Sequence, residues 1–232
     1  MNNVSIGKKI AILVLILAVP GFLYYLLTVK GKNRYKPLAV FGPKQVAATG
    51  HKYHGKYIPD TIYHTIPDFK LTDQEGKTVT LNSLKGKILV INFFYRNCPS
   101  VCQTVNKNMS WLVGTYYKNK MVYFLTITVD PEHDTPKVLN EYLQTFKPES
   151  NRWLMCSGDT SSVYSFARNG LYVNAAKVGG DFVYSDSFVL IDQEHRIRGY
   201  YKAAVTPEVN RLNDEIKVLI AEELRKIDKP LY

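Results

Sequence analysis

The chain has few cysteines, a first segment without acidic residues, and no internal repeat. Three cysteines among 232 residues are too few for a disulfide-rich framework, and a folded part of this size can bury a full hydrophobic core without such cross-links. With 46% hydrophobic and 22% charged residues, the composition also excludes a disordered, collagen-like or low-complexity chain. The cysteines therefore need an explanation other than structural cross-linking.

Positive charge is concentrated near the N-terminus. The net charge is +10, but residues 1–36 hold six of the 30 basic residues and no Asp or Glu, which leaves 24 basic against 20 acidic residues beyond position 36. No run of Lys and Arg interleaved with aromatic residues occurs in that larger part. The pattern predicts a solvated, mildly basic surface and argues against nucleic acid as a partner.

An uncharged apolar segment covers residues 10–29, after a short basic N-terminus at residues 1–9. The segment is about 20 residues long, which is enough for one helical crossing of the hydrocarbon core. It lacks the short apolar region and the A-x-A site of a cleaved signal peptide, so we expect an uncleaved, single-pass transmembrane helix. Two basic residues precede it and four follow it, a distribution that by itself favours a cytoplasmic C-terminal side.

The remaining hydrophobic pattern predicts a tether at residues 30–62 and one domain at residues 63–232. Alternating apolar residues on both sides of a turn at 73–76 predict a hairpin that opens the domain. Long apolar runs, each followed by a helical pattern, then predict two buried parallel strands at 87–95 and 121–129.

The C-terminal part of the domain completes an alternating pattern. A helix is predicted near Thr160, an antiparallel hairpin over 188–201, and a final helix from Thr206 with an unbroken apolar stripe that ends at Leu224 and Ile227. This order predicts a thioredoxin-like α/β fold, in which a central mixed sheet is flanked by helices.

Two cysteines occupy the loop between the first buried strand and the helix that follows it. Cys98 and Cys102 are four residues apart where the helix begins, so their sulfurs can share one face near backbone N–H groups that favour a thiolate. Such a pair can bind a metal or cycle to a disulfide, and soft thiolates select Cu(I). Cys156 lies in an apolar stretch, which predicts an inert buried thiol.

Three motifs resemble the signature blocks of the Sco/SenC proteins: NCPSVC at 97–102, DPEHDTP at 130–136 and SDSFVLID at 185–192. The resemblance covers about residues 60 to 225. It implies a membrane-anchored thioredoxin-fold protein that helps to assemble the copper centre of cytochrome c oxidase. It also implies that copper, as Cu(I) or Cu(II), is bound by Cys98 and Cys102. Peroxiredoxins resemble the opening strands, but Tyr95 stands where they place a threonine, which disfavours peroxidase activity.

One position departs from the Sco/SenC pattern. The family supplies a histidine ligand from an Asp-His-Ser/Thr block, and Asp186 stands in that place here. A carboxylate suits Cu(I) poorly, so copper binding is weak, another group completes the site, or the domain works mainly as a dithiol. His133 is a candidate substitute because its loop leaves the same sheet edge as the cysteine loop. Asp130, in that loop, is a candidate for tuning the protonation of the cysteines.

The other histidines are weaker candidates than His133 for a ligand beside the cysteines. Surface or local hydrogen-bonding roles are expected for His51, His54 and His64 near the tether. His195 falls in the distal turn of the C-terminal hairpin, which places it far from the cysteines.

Two functions follow as alternatives. The first is a copper-binding assembly factor, a metallochaperone rather than an enzyme, with a copper-bearing subunit of cytochrome c oxidase or another copper or thiol protein as its partner. The second is a thiol-disulfide oxidoreductase without physiological copper, in which Cys98 attacks a partner disulfide and Cys102 resolves the mixed disulfide. Either chemistry belongs on the outer side of an energy-transducing membrane. We therefore expect the domain in the periplasm of an inner-membrane protein, although the basic residues after residue 29 favour the opposite orientation.

Overall fold

The chain divides after residue 36 into two compact units. This computed structural model describes residues 6–26, 37–53, 55–98, 100–179 and 181–228.

The first unit contains one long helix, α1 (Ile6–Tyr25). Its Gly7–Tyr25 segment has a mean hydropathy of 1.8 and no part buried inside the protein. Among the described residues it is the one helix that is long and apolar enough to cross a membrane, by length and composition alone. Residues 27–29 of the predicted span lie outside the described part of the chain.

The second unit begins with a two-stranded antiparallel ribbon where the sequence predicts an irregular tether. Its strands are β1 (Lys44–Tyr53) and β2 (Lys56–Tyr63), and most of its side chains are exposed. Gly50 is required there because a Cβ atom at this position would lie 2.6 Å from the Ile58 carbonyl oxygen of the paired strand. The ribbon has little apolar burial, so it lacks the alternating hydrophobic pattern from which strands are recognised.

The predicted mixed sheet forms the centre of the second unit, and it has seven strands. Its strand order is β11-β10-β5-β6-β7-β3-β4, in which β5, β6 and β7 are parallel and the flanking pairs are antiparallel. The strands are β3 (Lys70–Asp73), β4 (Thr78–Thr80), β5 (Ile88–Phe94), β6 (Val122–Thr128), β7 (Trp153–Ser157), β10 (Ser187–Ile191) and β11 (Ile197–Lys202).

Helices cover both faces of this sheet. Alternate residues of β5 point to opposite sides, so that Ile88 and Val90 join one hydrophobic cluster while Leu89 and Ile91 join the other. The cluster that contains Ile88 and Val90 also contains residues of α2 (Ser100–Thr115), α3 (Pro136–Gln144) and α5 (Thr206–Asp228). The cluster that contains Leu89 and Ile91 also contains residues of α4 (Thr160–Ser165), which a turn of π-helix at Phe166–Gly170 extends.

Several local features differ from the sequence predictions. The strand β7 was missed because it has only five residues, four of them apolar, which are too few to show a period. A second small hairpin, β8 (Ala175–Val178) with β9 (Asp181–Tyr184), was also missed and forms its own two-stranded sheet. The prediction of an unbroken apolar stripe on α5 is wrong at Leu224, which is 47% exposed, because the buried position of the helix after Leu219 is taken by Glu223, which is 2% exposed.

Candidate functional site

The cysteine loop connects β5 to α2 at the carboxyl end of the parallel strands. Cys98 precedes α2 and Cys102 lies in its first turn, with 5.9 Å between their Cα atoms and a disulfide bond between their sulfurs. Cys98 is half-buried, whereas Cys102 is almost fully buried. The two sulfurs therefore lie together near the N-terminus of a helix, where the helix dipole favours negative charge on a reduced sulfur.

The Tyr184 side chain reaches both sulfurs, a contact that sequence reasoning missed. Its hydroxyl oxygen lies 2.9 Å from Cys98 Sγ and 2.6 Å from Cys102 Sγ. Sulfurs in a disulfide carry no hydrogen, so the hydroxyl is the donor. The residue lies at the end of β9 and two positions before Asp186, and its nearness to the third sequence motif was the one available signal.

Aromatic rings surround the Tyr184 hydroxyl. The ring of Tyr95 packs edge-on against Tyr184 at 5.9 Å and against Phe182 at 4.8 Å between ring centroids. Burial, followed by the neighbouring Tyr95 and Asp186, raises the pKa of Tyr184 above its ordinary value. The phenol therefore stays protonated at neutral pH and remains a hydrogen-bond donor.

Asp186 lies next to this cluster, at the start of β10. Its side chain is exposed, and its backbone carbonyl accepts a hydrogen bond from Ala203 N at 2.9 Å. Its charge is close enough to contribute to the raised pKa of Tyr184. In this disulfide-bonded form, Asp186 does not belong to a group of three potential ligand atoms with both sulfurs, as judged over the described residues.

His133 belongs to a separate cluster in the loop after β6. Its Nδ1 lies 2.9 Å from both carboxylate oxygens of Asp130, and this hydrogen bond, with the charge of Asp130, raises the pKa of His133. Ligand atoms of Asp130, Glu132 and His133 lie within 4.8 Å of one another, the one such set among the described residues. The set contains neither cysteine, so the structure does not bring His133 together with both sulfurs.

Asp134 connects this loop to the cysteine loop, although its sequence context predicted no role for it. It is buried, and its Oδ2 accepts hydrogen bonds from the Thr128 hydroxyl at 2.5 Å and from Arg96 N at 3.1 Å. Burial raises the pKa of Asp134. Because Arg96 is two residues before Cys98, the Asp134 carboxylate fixes the start of the cysteine loop.

The remaining histidines that the structure describes lie in other local contacts. His51 binds Asp60 across the ribbon at 3.0 Å, and His64 Nε2 lies 2.9 Å from the Gly170 carbonyl oxygen. His195 lies in the turn after β10, and the register of β10 against β5 places that turn at the end of the sheet opposite the cysteines. His54 lies outside the described residues.

Cys156 is fully buried in β7, as the sequence predicts. Burial and then the charge of Asp73 raise the pKa of its thiol. A buried thiol that resists ionisation is a poor nucleophile and a poor metal ligand.

Comparisons of this chain with protein families, curated proteins and solved structures all find the same kind of protein. A family model for SCO1/SenC matches residues 60–220. A SCO1 protein homolog of Bacillus subtilis (strain 168) is 25% identical over 167 residues, which covers 70% of this chain and 86% of the homolog.

Two solved structures are similar to this chain over about two thirds of its length. Bradyrhizobium japonicum ScoI with copper bound has a TM-score of 0.56 and 32% identity, covering 67% of this chain and 99% of its own. BsSco, described as a member of the Sco family of cytochrome c oxidase assembly proteins in which a disulfide switch was identified, has a TM-score of 0.59 and 26% identity. That likeness covers 66% of this chain and 92% of BsSco. The family match includes the cysteine loop and all seven strands of the central sheet.

Proposed function

The chain belongs to the SCO1/SenC family, and on that basis we propose that it is a membrane-anchored, copper-binding assembly factor for cytochrome c oxidase. The observation that carries this proposal is the pair of Cys98 and Cys102 sulfurs, held side by side where α2 begins. The copper-bound ScoI and the disulfide switch of BsSco support the proposal, because copper binding and disulfide chemistry both occur in proteins similar to this chain.

Copper would be the cargo of this protein, and the donor set suits its reduced ion. Two thiolates are soft ligands that favour Cu(I) over hard cations such as magnesium or calcium. The disulfide must first be reduced, because only thiolate sulfurs are strong metal ligands. Half-buried Cys98 gives a partner access to the cargo, while buried Cys102 limits the access of water.

Among the described residues, the site lacks a suitable third ligand for Cu(I), because a carboxylate stands at position 186. Asp186→His tests whether a ligand at this position strengthens copper binding. An imidazole at position 186 is expected to raise the Cu(I) affinity of the reduced chain about 10–100-fold, the range by which supporting groups alter metal sites. The measurement is competition against a chelator of known affinity, with Asp186→Asn as the control that removes the carboxylate without adding a ligand. Equal affinities for Asp186→His and Asp186→Asn would show that position 186 does not reach the copper.

The proposed location follows from the apolar helix and from the chemistry of the cargo. Helix α1 would anchor the chain by a single pass through the inner membrane, with the second unit on the periplasmic or outer side. This side also permits a disulfide between Cys98 and Cys102. The proposed partner is the copper-bearing subunit of cytochrome c oxidase or another copper or thiol protein.

A thiol-disulfide oxidoreductase is the second candidate, favoured by the aspartate at position 186. The Cys98 thiolate would attack a partner disulfide, which forms a mixed disulfide and releases one partner thiolate. The Cys102 thiolate would then attack the Cys98 sulfur, which forms the intramolecular disulfide and releases the second partner thiolate. The greater exposure of Cys98 supports this order of attack.

An anaerobic Cu(I) titration of the full chain in detergent tests the proposed function. The reduced chain is expected to bind one Cu(I) in competition with a chelator, because both sulfurs are then free to ligate. Cys156→Ala, which removes the buried third cysteine, is expected to bind equally well. Absent or chelator-labile binding by the reduced chain would overturn the copper proposal and leave the oxidoreductase.

A further inference from the structure

We infer that Tyr184 is a positioning residue that shifts the Cys98–Cys102 pair toward its reduced form by donating a hydrogen bond to sulfur. This inference rests on the proposed function in one respect, namely that the pair cycles between disulfide and dithiol. It does not depend on copper. The hydroxyl lies 2.9 Å from Cys98 Sγ and 2.6 Å from Cys102 Sγ, so one donor serves both sulfurs.

The hydroxyl is held in place from two directions. Tyr184 pairs with Ala175 across the β8–β9 hairpin, and Ser185 N donates to the Asn174 carbonyl at 2.9 Å. The Tyr95 ring packs edge-on against the Tyr184 ring. These contacts fix the donor before any change in the redox state of the cysteines, which is what a positioning role requires.

The direction of the effect follows from the strength of sulfur as an acceptor. A hydrogen bond to a charged acceptor is roughly twice as strong as one to a neutral acceptor. The disulfide is neutral, whereas the reduced pair at the start of α2 lies where a thiolate is favoured. The same hydroxyl therefore stabilises the reduced pair more than the oxidised pair, and its removal shifts the equilibrium toward the disulfide.

The test is redox equilibration of the full, metal-free chain in detergent with glutathione. Two glutathione thiols give two electrons to the pair, so that the Cys98–Cys102 bond breaks and one glutathione disulfide forms. One of the two protons goes to a cysteine sulfur and the other to solvent, which leaves the second sulfur as the thiolate that accepts the hydrogen bond. Tyr184→Phe, which removes only the hydroxyl, is expected to lower the equilibrium constant for this reduction about tenfold. Trapping of free thiols at each glutathione ratio gives the constant.

Tyr95→Phe is the matched control, because it removes a hydroxyl from the same aromatic cluster while keeping the ring contact with Tyr184. We expect its equilibrium constant to stay within about twofold of that of the unchanged chain. Replacing Tyr184 with 3-fluorotyrosine makes the phenol more acidic, so that its protonated hydroxyl donates a stronger hydrogen bond. This replacement, measured below neutral pH, is expected to shift the redox equilibrium in the direction opposite to Tyr184→Phe. It also keeps the inference testable if Tyr184→Phe folds poorly.

An unchanged constant in Tyr184→Phe, or an equal shift in Tyr95→Phe, would overturn the inference. Its failure is distinguishable from failure of the proposed function. A chain that binds Cu(I) but shows no effect of Tyr184→Phe retains its copper role, whereas an effect of Tyr184→Phe in a chain without Cu(I) binding leaves the inference standing.

Discussion

Replacing Cys98 with serine is expected to lower the Cu(I) affinity of the reduced chain by more than about 100-fold, since even loss of a supporting group around a metal costs up to that factor. The reason is the loss of one of two soft ligands, which a neutral serine hydroxyl cannot replace. Competition with a strong Cu(I) chelator under anaerobic conditions measures the change. Half-buried Cys98 is the better choice for this substitution, because serine there disturbs the core less than at buried Cys102.

Cys156→Ser is the matched control for the loss of a thiol. Cys156 lies in the core on β7, and its raised pKa disfavours the thiolate. Its replacement should therefore leave Cu(I) affinity within about threefold of that of the unchanged chain, even where stability falls. Retention of tight binding in Cys98→Ser, with a native circular dichroism spectrum, would contradict a two-thiolate site.

The second large effect concerns stability and centres on Arg198 of β11, which is 3% exposed. Its guanidinium donates to Asp192 Oδ2 at 3.1 Å and to Glu222 Oε2 at 2.9 Å. It also donates to the carbonyl oxygens of Leu38 at 2.7 Å and Ala39 at 3.2 Å. One side chain thus joins the start of the second unit, the turn after β10 and the last helix.

Arg198→Met is expected to lower the free energy of unfolding by about 3–5 kcal/mol, the usual cost of removing one partner from a buried ion pair. The Asp192 carboxylate, which is fully buried, keeps only its contact with Arg196, and Glu222 loses its partner guanidinium. Denaturant unfolding of the full chain in detergent, followed by tryptophan fluorescence, to which buried Trp153 and half-exposed Trp111 contribute, measures this change.

The same substitution at exposed Arg168 provides the control. Arg168→Met should change the free energy of unfolding by less than about 0.5 kcal/mol, as is usual for surface substitutions. A cost below about 1 kcal/mol for Arg198→Met would contradict the account of a buried carboxylate that loses one of its two guanidinium partners.

The parallel pair β5 and β6 at the centre of the sheet was predictable because these two strands are long and apolar. The runs that became β5 and β6 are buried on both faces, and each precedes a helix with a clear apolar stripe. A parallel strand pair with its loops at one edge follows directly from that pattern, and so does the position of Cys98 and Cys102.

The surroundings of the cysteines were not predictable in the same way. Tyr184 reaches the sulfurs from a four-residue strand, and Asp134 reaches Arg96 N from a loop of another motif. Both contacts join segments that are distant in sequence, and neither segment has a periodic pattern. Hydrophobic periodicity locates elements, but it does not determine which polar side chains meet at their ends.

Residues 37–41 have a consequence for how the second unit should be separated from α1. Phe41 N donates to the Ile197 carbonyl at 2.8 Å, so this segment covers part of β11, an outer strand of the sheet. An uncovered outer strand has unpaired backbone N–H and C=O groups that can pair with a strand of another copy. A soluble fragment that starts after Phe41 would expose this edge and favour aggregation, whereas one that starts at Pro37 keeps its own protective cover.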